Sequence, residues 1–162
     1  VKLDRIKMND NYMNQKTVVL ITVFALLTAT SVYAASFKED YDAAYKSFES
    51  AKSNSEITKV AEIFRKLSER NDAGKLIANT HYWQGACWYR LEEYSRSLQN
   101  FEKVLTYPLS YKEEDARYKV AVCYMRLKEF ETAKWEFNRF LRDYPQSKHA
   151  GTVRNSLAKI PK

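Results

Sequence analysis

Glycine and proline are both scarce. Three of each in 162 residues exclude collagen-like and Pro- or Gly-rich chains. They also argue against sandwiches and barrels, which need many turn residues. The three glycines, Gly74, Gly85 and Gly151, are too dispersed to form a phosphate-cradling loop. Two Cys and two His leave too few ligands for a zinc site. No nucleophile–base pair is evident and no paired carboxylates stand apart from solvated charge, so the sequence offers no catalytic residue, no metal site and no cofactor. Lys and Arg outnumber Asp and Glu by 27 to 20, which raises the question of nucleic acid. The two signs are interleaved along the helical segments, however, as on a solvated face, and nucleic acid is not an expected partner. Apolar residues are 45% and aromatics 14% of the chain, so even a small core is substantial. The composition predicts one helical, cofactor-free domain.

Residues Thr17 to Phe37 carry no charge and follow Lys16. Val32 and Ala34 supply small residues at the −3 and −1 positions of a signal-peptidase site. This pattern predicts a secretory signal peptide over residues 1–34 and a helical repeat domain over 36–162. The start is expected at Met13, which would make the preceding residues an upstream over-call. The rival expectation is an uncleaved membrane anchor, because about 20 apolar residues span a bilayer. Neither cysteine lies near residue 34, so this exit offers no lipid-attachment site.

The remainder repeats. Tyr82 to Tyr94 aligns without a gap to Tyr118 to Phe130, an offset of 36. Ser97 pairs with Ala133, Phe101 with Phe137 and Leu105 with Leu141 at the same offset. Tyr107-Pro108 then matches Tyr144-Pro145 at 37. A weaker copy precedes them. Tyr41, Ala44, Phe48 and Ala51 make one helical stripe, and Ile57, Val60, Ala61, Phe64 and Leu67 a second. Ser36 with Glu39 and Ser53 with Glu56 have capping-box spacing at the starts of these helices. Ala150, Val153, Leu157 and Ile160 share one face of a last helix. Pro108 and Pro145 stop helices.

The sequence Tyr-x-x-Gly-x-Cys-x-Tyr-Arg-Leu-x-x-Tyr from Tyr82, followed by a small residue, a Phe and Tyr-Pro, resembles a tetratricopeptide repeat (TPR). The ending Phe-x-x-Phe-Leu-x-x-Tyr-Pro-x-Ser over Phe137 to Ser147 is similar to envelope repeats of bacteria: the periplasmic repeat protein of the Tol-Pal system and the repeat lipoprotein of outer-membrane assembly. The resemblance covers residues 76–147 well and 37–72 poorly. It implies an all-α, TPR-like α-α superhelix of about three helical hairpins plus a C-terminal capping helix. It further implies a non-catalytic exported scaffold or adaptor of the periplasm that binds a partner protein or peptide in a concave groove. The alternatives are a form tethered to the inner membrane and an accessory subunit of an envelope enzyme.

The groove positions implied by the resemblance are Asn79, Tyr82, Ala86, Tyr89 and Arg90 in one repeat. In the next they are Asp115, Tyr118, Val122, Met125 and Arg126. The first hairpin would add Tyr45 and Glu49. Tyr gives rigid contact area and Arg grips carboxylates, which suits an acidic segment of another protein. The same tyrosines could instead pack against the first repeat. Gly85 is expected opposite Ser97, and Ala121 opposite Ala133, where paired helices cross closely. Trp135 lies off its apolar stripe, either as a partner anchor or covered by the last helix; Trp83 poses the same choice. Cys87 and Cys123 hold equivalent positions about 9–10 Å apart on stacked helices, too far for a disulfide, and are expected as buried thiols. His149 is expected exposed in a connecting turn.

Overall fold

The computed structural model describes residues 37–161. The expected signal segment over 1–34 and the Ser36 cap lie outside the described residues. By its internal contacts the chain divides into two units, residues 1–38 and 39–162. Of the first, only Phe37 and Lys38 are described, and both are helical.

Among the described residues all regular structure is helical. Helix α1 covers 37–50 and α2 is Asn54–Ser68. After a short 3-10 turn, Gly74–Leu76, come α3 (Ile77–Arg90), α4 (Tyr94–Val104), α5 (Glu113–Arg126), α6 (Phe130–Asp143) and α7 (Ala150–Lys159). The pairs α3/α4 and α5/α6 are helical hairpins, and α7 packs on α6; α1 meets α2 through Tyr41 and Phe64, whose ring centroids lie 6.2 Å apart. The 36-residue offset is therefore one hairpin stacked on the next, the arrangement of a TPR-like repeat.

Local sequence explains each boundary. Ser53 and Glu56 form a reciprocal capping box: Ser53 Oγ accepts from the Glu56 amide at 3.2 Å, and Glu56 Oε2 accepts from the Ser53 amide at 2.9 Å. The α3/α4 and α5/α6 turns are closed by the same backbone motif. Glu93 N–H donates to the Trp88 carbonyl and Glu92 N–H to Tyr89. One repeat later Glu129 donates to Tyr124 and Lys128 to Met125. This is a Schellman cap, and it places Glu92 at φ 61° and Lys128 at φ 64° in the left-handed region that favours glycine.

The core runs along the contacts between hairpins. Ala78, Tyr82, Phe101 and Val104 pack against Ala116, Val120 and Cys123 of the next hairpin. Ala121, Ala133, Phe137 and Phe140 pack against Val153 of α7. Phe101 and Phe137 are fully buried. The close helix crossing is built as expected. Ser97 Oγ donates to the Gly85 carbonyl at 2.8 Å, and a Cβ on Gly85 would meet the Phe101 ring at 3.1 Å. Cys87 and Cys123 are buried free thiols.

The first hairpin differs in one dimension. Its buried small residues, Ala44 and Ala61, are 17 positions apart, whereas Gly85–Ser97 and Ala121–Ala133 are 12 apart. Five additional residues lengthen the hairpin without changing the pattern along its first helix. Tyr41, Tyr45 and Phe48 of α1 correspond to Tyr82, Ala86 and Tyr89 of α3 and to Tyr118, Val122 and Met125 of α5.

Candidate functional site: a groove along α3, α5 and α7

Nine of the ten expected groove positions fall into two environments, and Asp115 belongs to neither. Those toward α1 are packed. Trp83 turns its indole onto α1, with ring centroids 4.7 Å from Tyr45 and 5.1 Å from Phe48. Its Nε1–H donates to Tyr41 Oη at 2.9 Å. Tyr82 is only 8% exposed, and Ala86 packs beside it. Asn79 stands near the Tyr41 hydroxyl. Arg90 donates to the carbonyls of Phe48 (2.8 Å) and Ala51 (2.6 Å) at the end of α1. The structure thus separates the two arginines that the sequence placed as a matched pair. Arg90 is used to tie down carbonyls at the end of α1.

The positions toward α7 remain open. Tyr89, Tyr118, Val122, Met125 and Arg126 line a single cleft of about 510 Å³, completed by Lys128, Phe130, Ser156 and Lys159. Its floor is aromatic and aliphatic. Its charged residues, Arg126, Lys128 and Lys159, are all basic. Arg126 Nε donates to Tyr89 Oη at 3.3 Å. Lys119, between the two tyrosines, holds its ammonium 4.5 Å from the Tyr89 ring centroid and 5.9 Å from that of Tyr118. Burial pushes this amine below its ordinary value and raises the Tyr118 hydroxyl.

Tyr118 is fixed from behind. The His149 ring stacks on it at 4.2 Å with an interplanar angle of 6°, and His149 Nε2 lies 2.8 Å from Asp115 Oδ1. Lys148 Nζ approaches the same oxygen at 3.0 Å. Burial alone would raise the Asp115 carboxyl, but hydrogen bonds from His149 and Lys148 outweigh it and hold the group below its usual range. His149 is therefore half-buried and positional, not the exposed turn residue expected. Asp115 serves this network rather than the cleft. Lys112, the counterpart of His149 at the start of α5, stands over the Tyr82 and Trp83 rings in the same manner, 4.9 and 5.0 Å from their centroids. Trp135 is 59% exposed; the guanidinium of Arg139 on its own helix lies 5.2 Å from its ring centroid, and α7 does not cover it.

Sequence reasoning missed Lys119, Lys128, Phe130, Ser156 and Lys159. Two of these were recoverable, since adding one repeat to Trp83 gives Lys119 and a second gives Ser156. Among the described residues no group of three or more His, Cys, Asp or Glu is placed to hold a metal ion. None of the described helices is long and apolar enough to cross a membrane.

Stacked hairpins with one groove along alternate helices define a TPR-like repeat protein. A family model described as an outer membrane lipoprotein, YfiO, matches residues 75–154, from just before α3 into α7 and just under half of the chain. Over that stretch the chain is similar to this family. No curated protein matches the chain.

Proposed function

We propose that this protein is a non-catalytic, exported scaffold of the cell envelope that docks a protein segment rich in carboxylates and apolar side chains. The observation that carries the reading is the α5–α7 cleft, where five groove positions converge on one apolar floor whose charged residues are all basic. An acidic segment complements that rim, and apolar contacts on the floor supply affinity. Similarity to an outer membrane lipoprotein family and the uncharged run over residues 17–37 support placement in the envelope. Asn79, Tyr82 and Ala86 pack within the stack and the exposed Arg90 is tied to the end of α1, so docking is confined to the later half of the groove.

The test is a photo-reactive residue at Met125 in cells. It should give one discrete adduct with an exported protein, and the Arg126→Glu, Lys128→Glu double variant should lose it with an unchanged melting temperature. An adduct that persists in the double variant would contradict the charge assignment. No adduct from Met125 would contradict the cleft.

A further inference from the structure

One position on α3, α5 and α7 recurs with a different occupant each time. Trp83, Lys119 and Ser156 each lie seven residues after the helix-capping positions Leu76, Lys112 and His149. Each faces the preceding helix of the groove. Trp83 fills the space above Tyr41, Tyr45 and Phe48 with an indole. Lys119 lays an ammonium on Tyr89, at the position Phe48 holds one repeat earlier. Ser156 is too short to fill this space, and the cleft opens there over Tyr118, Val122 and Met125. These three residues hold the positions of Tyr41, Tyr45 and Phe48.

We infer that the cleft is an anchor site for one large aromatic side chain of the docked segment, with a carboxylate next to it. The anchor would take the place that Trp83 takes within the chain itself, and the carboxylate would meet Arg126, Lys128 or Lys159. This inference rests on the docking reading above and narrows its ligand. The surroundings suit the chemistry. Tyr118 is held rigid by the stacked His149, so its face costs no ordering on contact. Met125 adds a polarizable thioether suited to aromatic edges. Cations bordering an apolar seat form charge-assisted bonds with an acid. A single aromatic in a pocket ringed by polar contacts is also how binding energy concentrates at interfaces.

Indole-3-acetate is the probe, with indole and acetate as its separated halves. It is titrated into the full-length protein while the methyl resonances of Val122 and Met125 are followed. Saturable shifts at both are expected, with a Kd on the order of 1 mM for so small a ligand. Indole should bind several-fold more weakly, and acetate should leave both methyls unmoved. In Ser156→Trp the chain's own side chain occupies the seat, so binding should weaken at least 10-fold. Should Ser156→Trp not fold, Val122→Glu, which puts a carboxylate on the floor, should weaken the probe by at least as much. No saturable shift at Val122 and Met125, or equal binding in the variant, overturns the inference. Failure here is separable from failure of the docking reading. An adduct from Met125 without probe binding overturns the aromatic anchor alone. Probe binding without any adduct overturns the protein partner alone.

Discussion

The seams between α1 and α3 and between α5 and α7 use the same three positions of one helix face and end differently. At the first, Tyr41, Tyr45 and Phe48 receive Trp83, and Arg90 reaches across to the carbonyls of Phe48 and Ala51. At the second, Tyr118, Val122 and Met125 meet Ser156, and Arg126 stays on the rim. One apolar face is thus covered within the chain at the start of the stack and left open at its end. A helical hairpin cannot bury its apolar face alone. What decides between closure and a groove is the size of one side chain per repeat.

The comparison is broken most severely at Trp83. Trp83→Ala removes a side chain packed on three rings and should cost roughly 3–5 kcal/mol in urea unfolding. Ser156→Ala, at the equivalent position, should change stability by less than about 0.5 kcal/mol. Equal costs would mean that the two seams are built alike.

The inner faces of α3 and α5 should, by contrast, behave alike. Burial raises the Cys87 thiol from its ordinary 9.0 to about 12 and raises Cys123 in the same direction. A raised folded value means that the unfolded chain ionises first. The stability that Cys87 contributes is therefore complete below pH 9 and falls as pH climbs toward 12, by up to about 1.4 kcal/mol per pH unit, and Cys123 acts in the same direction. Cys87→Ala and Cys123→Ala should each flatten this alkaline loss, measured as the urea midpoint between pH 8 and pH 10.5.

The matched arginines come next. Arg90→Ala removes two hydrogen bonds to the Phe48 and Ala51 carbonyls and should cost about 1 kcal/mol. Arg126→Ala should cost less than about 0.5 kcal/mol while reducing capture from the cleft. The smallest effect is expected at the shared turns. Glu92→Gly and Lys128→Gly relieve a left-handed backbone, and each should stabilise by about 0.5–1 kcal/mol. A loss in thermal melting would contradict the strain assigned to them.

The stack was legible in the sequence where the offset was constant. Residues 82–94 and 118–130 align because the Schellman turn between paired helices has the same length in both. The first hairpin read poorly because five extra residues separate Ala44 from Ala61, which shifts its second helix out of register with the others. The groove positions were legible as a set, but their division was not. Packed and open positions share one residue pattern, and the deciding residues, Trp83, Lys119 and Ser156, differ in every property. Lys128 read as ordinary solvated charge because its place depends on a left-handed turn. His149 read as exposed because the connection before it slips the offset to 37; its counterpart, Lys112, shows the same ring contact only in three dimensions.

The most direct test compares positions one repeat apart on the same helix face: a photo-reactive residue at Ala86 and, separately, at Val122. Capture of one partner from Val122 and none from Ala86 is the predicted result. Equal capture from both, or capture from Ala86 alone, would contradict a groove that is closed at its beginning and open at its end.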